Sequence, residues 1–367
     1  TFVLNSLGSW VSSVIDRKTV MAHARDGDLG NAWLKTNEAG SGPFTLASWK
    51  PNELVMLDRF DAYWRGAPAM RRVALRHVPE SAPQRLMLEK GDADIARNLS
   101  PDDLAELAKS DAVRIRKIPQ GAVYYLGLNQ KNPVLAKPEV REALKWLIDY
   151  DSIEKNILRG TKEQHQSFLP AGFLGAISDQ PYRYDLEKAR ALLARAGVGD
   201  GFTVTMDVRN TYPTADVAQA IQAMWAKAGI ALEIIPGDNK QTLTKYRARQ
   251  HDIYIGRWAP DYLDPHSNAQ GFAWNPDNGD ASPYKLLAWR NAWDIPEMTR
   301  RTEAALAEGD TATRRRLYQE LQRDHQAGSP FVIMFQDIAV VAERRGVEGF
   351  EVGPNFDVVY YRNITKK

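Results

Sequence analysis

The ten residues Arg257-Trp258-Ala259-Pro260-Asp261-Tyr262-Leu263-Asp264-Pro265-His266 bring two carboxylates, an imidazole and two aromatic rings close together. Three kinds of chemistry are open to such a set. A carboxylate partly shielded from water by Trp258 and Tyr262 can make a charge-assisted hydrogen bond, worth about 1.5 to 3 kcal/mol; Asp261 is placed for this. Asp264 and His266, two residues apart, could share a metal ion. Either aspartate could instead cap a turn, and Trp258 could be a cleft wall or plain core. Elsewhere, Asp207-Val208-Arg209-Asn210-Thr211-Tyr212-Pro213 offers the planar guanidinium of Arg209, which can meet both oxygens of a carboxylate or close a structural salt bridge. Asn268, Asn275, Asp277 and Asn278 form a polar stretch that could line a cleft or be a solvated turn.

Most other chemistry lacks its parts. The six histidines stand apart at 23, 77, 165, 251, 266 and 325, and there is no cysteine, so we expect no metal site and no cofactor. Gly-x-Ser-x-Gly, Walker and His-Glu-x-x-His motifs are missing, and we expect a protein that is not an enzyme. A paired-carboxylate hydrolase acting on cell-wall material is the residual enzyme alternative.

The elements that position these groups can be read from periodicity and caps. Phe202, Val204, Met206 and Val208 alternate as a strand. A helix from about Thr214 to Ala228 follows, ended by Gly229, then a strand over 231–235, a helical stretch over 242–249 and a strand over 252–256. Right-handed crossovers lay these three strands parallel, so Arg209 and Asp261 fall on one rim past the strand carboxyl ends, where open α/β sheets bind ligands. Ser100, Pro138 and Asp185 open further helices, and Gly197 stops the third. Asp310 to Gly328 reads as one long helix with Arg314-Arg315-Arg316 on a solvated face, followed by a strand over 330–335 and short β runs near 358–361.

Over 367 residues, 48 basic against 46 acidic side chains leave a net charge of +2, so no nucleic-acid partner is expected. No apolar run nears the roughly 20 residues of a membrane helix. A hydrophobic fraction of 44% and ten tryptophans indicate a folded α/β protein of two or three domains.

Several separated segments, in order, carry a family resemblance. They are Thr36-Asn37-Glu38-Ala39-Gly40-Ser41-Gly42-Pro43-Phe44, Asp61-Ala62-Tyr63-Trp64-Arg65-Gly66, Leu88-Glu89-Lys90-Gly91-Asp92-Ala93-Asp94, Tyr125-Leu126-Gly127-Leu128-Asn129, Val140-Arg141-Glu142-Ala143-Leu144 and Tyr184-Asp185-Leu186-Glu187-Lys188-Ala189. Together with the stretch around Asp261, the chain resembles the family 5 extracellular solute-binding proteins of peptide-type ABC transporters. The resemblance implies a bilobed periplasmic-binding-protein fold, type II and of the peptide-binding cluster, that closes on its ligand about a hinge. It implies the rest of lobe I over 1–122, a hinge crossing at 123–129, lobe II over 130–328, and a second crossing and return over 329–367. Asp261 matches the family aspartate that accepts a peptide α-ammonium, and Arg209 lies where dipeptide binders pair the ligand carboxylate. A nickel-binding relative has an Asp-Pro-His similar to Asp264-Pro265-His266.

The same resemblance implies a monomer in the periplasm that takes a short peptide and delivers it to permease subunits in the inner membrane. The rival is a non-peptide solute such as a metal chelate, opine or sugar conjugate. The resemblance begins in mid-protein, which implies that about 150 N-terminal residues of the family pattern are missing, and Thr1-Phe2-Val3-Leu4-Asn5 carries neither initiator Met nor signal peptide. A first lobe without them should show an open strand edge and an apolar patch.

Overall fold

A computed structural model describes residue 7, residues 12–353 and residues 358–367, so the opening Thr1-Phe2-Val3-Leu4-Asn5 segment lies outside the described residues. The chain divides into two units: residues up to Ile118 with Ala339–Lys367, and Pro119–Ile338. Strands β5 (Val113–Leu128) and β10 (Phe331–Arg344) each run from one unit into the other, so both crossings fall inside strands. The first passage, at Ile118/Pro119, precedes the 123–129 crossing that the resemblance implies, and the second, at Ile338/Ala339, falls inside the implied 329–367 stretch.

In the first unit β1 (Phe44–Lys50), β2 (Leu54–Arg59) and β3 (Arg72–Arg76) form an antiparallel meander, with a bulge between Leu46 and Ser48. Not one residue of these three strands is fully buried. Among the described residues β3 pairs only with β2, and β4 (Ile95–Arg97) only with the carboxyl half of β10. The concavity beside these edges has a mixed lining, apolar at Val73, Leu75, Met87, Ile95 and Phe350 and charged at Arg72, Arg76, Asp92, Asp94 and Lys366. Ser100 caps the helix Pro101–Leu107 through its hydroxyl, which accepts from the Asp103 amide at 3.2 Å.

The second unit is built on a sheet ordered β10, β5, β9 (Ile253–Trp258), β7 (Phe202–Arg209), β8 (Ile230–Gly237), with β6 (Lys162–Gln164) added on β10. Strands β7 and β8 run parallel from Phe202↔Ile230 to Arg209↔Gly237, and β7 and β9 parallel at Met206↔Ile253. With helices Thr214–Ala226 and Asn239–Arg247 between them, this is the β-α-β-α-β unit that periodicity predicts. Its base is tight: a Cβ on Gly201, which has φ +96°, would lie 2.3 Å from the Gly229 carbonyl oxygen.

Alternation along the strands sends side chains to two cores. Leu126, Leu128, Met206, Ile253 and Ile255 face one cluster, with Ile221 and Trp225 of the first crossover helix. Val123, Tyr125, Phe272, Tyr318 and Phe331 form the other. Asp185, through a bond from the Lys188 amide at 3.0 Å, and Gly197, with φ +70°, bound the next helix as read.

One reading is corrected. Helix α1 (Thr311–Gly328) exposes Arg315 and Arg316 but buries Arg314 to 5% exposure, so the arginine run is not a uniform solvated face. Its helical period places Arg314 on the inner side with Tyr318, Leu321 and His325.

Candidate functional site

Strand β9 ends at Trp258, whose ring lies against helix α2 (Pro265–Phe272). A Cβ on Gly271 would sit 3.3 Å from the indole, and Phe272 meets it edge to face at 6.4 Å. Trp258 is half-buried: it packs on the edge of the second core and leaves part of its surface exposed at the strand end. Its Nε1 is buried with no hydrogen-bond partner among the described residues.

Asp261 follows three residues on, in the loop before α2. Its backbone amide donates to Ser267 Oγ at 2.9 Å, and its side chain is exposed. Among the described residues the carboxylate takes part in no hydrogen bond or ion pair. Tyr262 is half-buried beside it. Burial, then the negative charges of Asp264 and Asp261, push its phenol up to about 12, so it stays a neutral, hydroxyl-bearing ring at physiological pH.

Asp264 has a different fate. It is 1% exposed, receives the His266 amide at 2.9 Å as the cap of α2, and is gripped by both terminal nitrogens of Arg314 at 3.0 and 2.7 Å. Arg314 Nε in turn donates to the Ala305 carbonyl at 3.1 Å. His266 is buried; burial lowers its imidazole to about 4 against the opposing pull of Asp264, so it is neutral near pH 7. Asn268 is wholly buried and donates to the Phe168 carbonyl at 2.6 Å. These three side chains are parts of the fold's interior. Among the described residues no group of three or more His, Asp or Glu side chains is arranged to hold a metal.

Arg209 is the last residue of β7. Its Nε donates to Thr211 Oγ1 at 3.1 Å and its Nη1 to Asn239 Oδ1 at 3.2 Å. It pairs with no carboxylate among the described residues, so neutral oxygens alone hold an exposed guanidinium. It borders an open concavity with Thr211, Gly237 and Asn239 at the carboxyl ends of β7 and β8. Arg209 and Asp261 share the rim of the parallel strands without touching each other.

Of the polar stretch read from the sequence, Asn275 and Asn278 are internal ties rather than a solvated turn: Asn275 donates to the Trp293 carbonyl at 2.8 Å, and Asn278 accepts from buried Arg249 at 2.6 Å. Other polar groups emerge only from the structure. Next to Trp258, Arg257 Nε donates to Asp337 at 2.7 Å, and Lys162 pairs with the other oxygen of Asp337 at 2.8 Å. Helical spacing on α1 is the sequence signal that could have found Arg314; nothing local marks Ser267 or Asp337.

An exposed carboxylate and an exposed guanidinium lie beyond the carboxyl ends of parallel strands, where α/β proteins bind small charged solutes. Comparison with known proteins narrows this. Residues 4–280 match the model for bacterial extracellular solute-binding proteins, family 5 Middle, and the chain belongs to that family. The family is one of binding proteins rather than enzymes. Over 365 residues the chain is 29% identical to the probable D,D-dipeptide-binding periplasmic protein DdpA of Escherichia coli (strain K12), covering 99% of this chain and 69% of that protein. It is 26% identical over 327 residues to the dipeptide-binding protein of the same organism, covering 88% of this chain and 60% of that one. A solved structure of the periplasmic binding protein DppA from Helicobacter pylori in complex with the peptide STSA superposes with a TM-score of 0.81. It is 23% identical and covers 99% of this chain and 70% of that one, which shows a shared fold.

Proposed function

We propose that this protein captures short peptides in the periplasm, as a monomer, and passes them to the permease subunits of an ABC importer in the inner membrane. Asp261 holds the peptide's α-ammonium group, Trp258 and Tyr262 shield that contact from water, and Arg209 takes the carboxylate of a dipeptide. The observation that carries this reading is the contrast between two aspartates three residues apart. Asp264 is spent on Arg314, whereas Asp261 is exposed with its carboxylate unengaged. The dipeptide-binding relatives support the choice of peptide over other solutes. Near-balanced charge, +2 overall, speaks against a nucleic-acid partner. The lobes are assigned to the two units, with the passages at Ile118/Pro119 and Ile338/Ala339.

The small molecule that stays with the protein through purification tests this. Denaturation followed by mass spectrometry should release peptides with free amino termini. Release of a metal chelate, an opine or a sugar conjugate instead would overturn the peptide reading.

A further inference from the structure

Asp261 stands on a loop, and a loop carboxylate selects an amine only if it is held within a fraction of an ångström of its working position. The chain from Ala259 to Leu263 is fastened at both ends and once in between. Trp258 is locked by its packing on Gly271 and Phe272. Asp264 is locked by the two bonds from Arg314, by the His266 amide, and by its own amide donating to the Tyr262 carbonyl at 2.9 Å. Between these anchors the Asp261 amide donates to Ser267 Oγ, while the Ser267 amide donates to the Asp264 carbonyl at 3.0 Å. Ser267 is therefore the tie between the first turn of α2 and the one residue of the loop whose carboxylate faces solvent. Both Ser267 and Arg314 are nearly fully buried, so neither is placed to touch a ligand itself.

We infer that Ser267 and Arg314 are positioning residues for Asp261: selectivity for a free amino terminus depends on them although neither contacts the peptide. The inference rests on Asp261 being the amine anchor. Two features separate it from a general packing role. The Ser267 hydroxyl bonds to the Asp261 backbone itself, and the Arg314 fork closes on Asp264, three residues after Asp261 at the end of the same loop. Loosening either should change how the carboxylate is aimed more than it changes the apolar wall, which packs on Gly271 and Phe272 one turn further along the helix.

The test is a competition. An equimolar dipeptide library is offered together with its N-acetylated copy, and the bound fraction is read by mass spectrometry for the unaltered protein, Ser267→Ala and Arg314→Gln. The unaltered protein should retain the free-amine form preferentially. Ser267→Ala should lower that preference by about two- to tenfold, the range for loss of one hydrogen bond, with the melting temperature within a few degrees and capture of the acetylated form unchanged. If Arg314→Gln does not fold, Ser267→Ala decides alone. Equal loss of both peptide forms, or an unaltered preference, would overturn the positioning role. A protein that binds dipeptides but never prefers the free amine would instead remove Asp261 as the anchor, and this inference with it; failure to bind either form removes the peptide reading altogether.

Discussion

Lys145 buries its ammonium group at the carboxyl end of α1, where Nζ donates to the Gln326 carbonyl at 2.7 Å and lies 5.4 Å from the Tyr182 ring centre. Burial, reinforced by the charge of Arg141 and opposed by Glu142, lowers it from the ordinary lysine range to about 7. Above pH 7, and up to the ordinary lysine value, the unfolded chain then holds a proton that the folded protein does not. Stability should therefore rise with pH across that window and carry its full penalty below it. The Gln326 carbonyl has a second donor in the Tyr182 hydroxyl at 2.9 Å, so losing the ammonium does not orphan it. Lys145→Met should accordingly stabilise the protein by about 1–4 kcal/mol at pH 6 and flatten the pH dependence between 7 and 10. Chemical denaturation at several pH values checks both, and a destabilised variant at pH 6 would mean that the charge is a net asset there. Such buried ions are hard to read from sequence because their neighbours come from other elements. Arg314 is the exception, since its spacing to Tyr318, Leu321 and His325 marks the inner face of one helix. The run Arg314-Arg315-Arg316 masks that spacing.

At the scale of elements, capped helices and the alternating strand 202–208 are legible because each signal is local. Asp185, Ser100 and Asp310 all cap through their side chains. The long strands are not legible. β10 reads as ended at Phe335 because Gln336 and Asp337 are polar, yet the strand continues to Arg344. Their polarity has partners from other elements: Gln336 donates to the Gln120 carbonyl at 3.0 Å and accepts from the Ala171 amide at 2.8 Å, and Asp337 pairs with Lys162 and Arg257. In β5, Pro119 breaks the local pattern in the same way. The base of the β-α-β-α-β unit gives a sharper prediction. A Cβ at Gly201 meets the Gly229 backbone, and the residue has a left-handed φ, so Gly201→Ala should cost about 1–3 kcal/mol. Gly309 has no neighbour within 4 Å of such a Cβ, and Gly309→Ala should shift stability by less than about 0.5 kcal/mol. Equal urea midpoints for the two variants would contradict this account of the close approach.

For the whole molecule, the division into two units was implied by the family resemblance, whereas nothing local in the sequence marks where the chain passes between them, because it does so in mid-strand rather than through polar linkers. The candidate site was legible in part. The strand-end location of Asp261 and Arg209 followed from periodicity, whereas the commitment of Asp264, His266 and Asn268 to the interior depended on Arg314 and Phe168, which lie far away in sequence. All the groups assigned to the amine end, from Trp258 through Ser267 to Arg314, belong to the second unit. The account therefore stands most directly on one titration, dipeptide into the unaltered protein and into Asp261→Asn, followed by calorimetry. Removing the charge while keeping the side chain's shape should weaken binding by about ten- to a hundredfold, the equivalent of a hydrogen bond to a charged group, with an unchanged melting temperature. Equal affinities in the two proteins would contradict the assignment of Asp261 and, with it, the amine-anchoring rim.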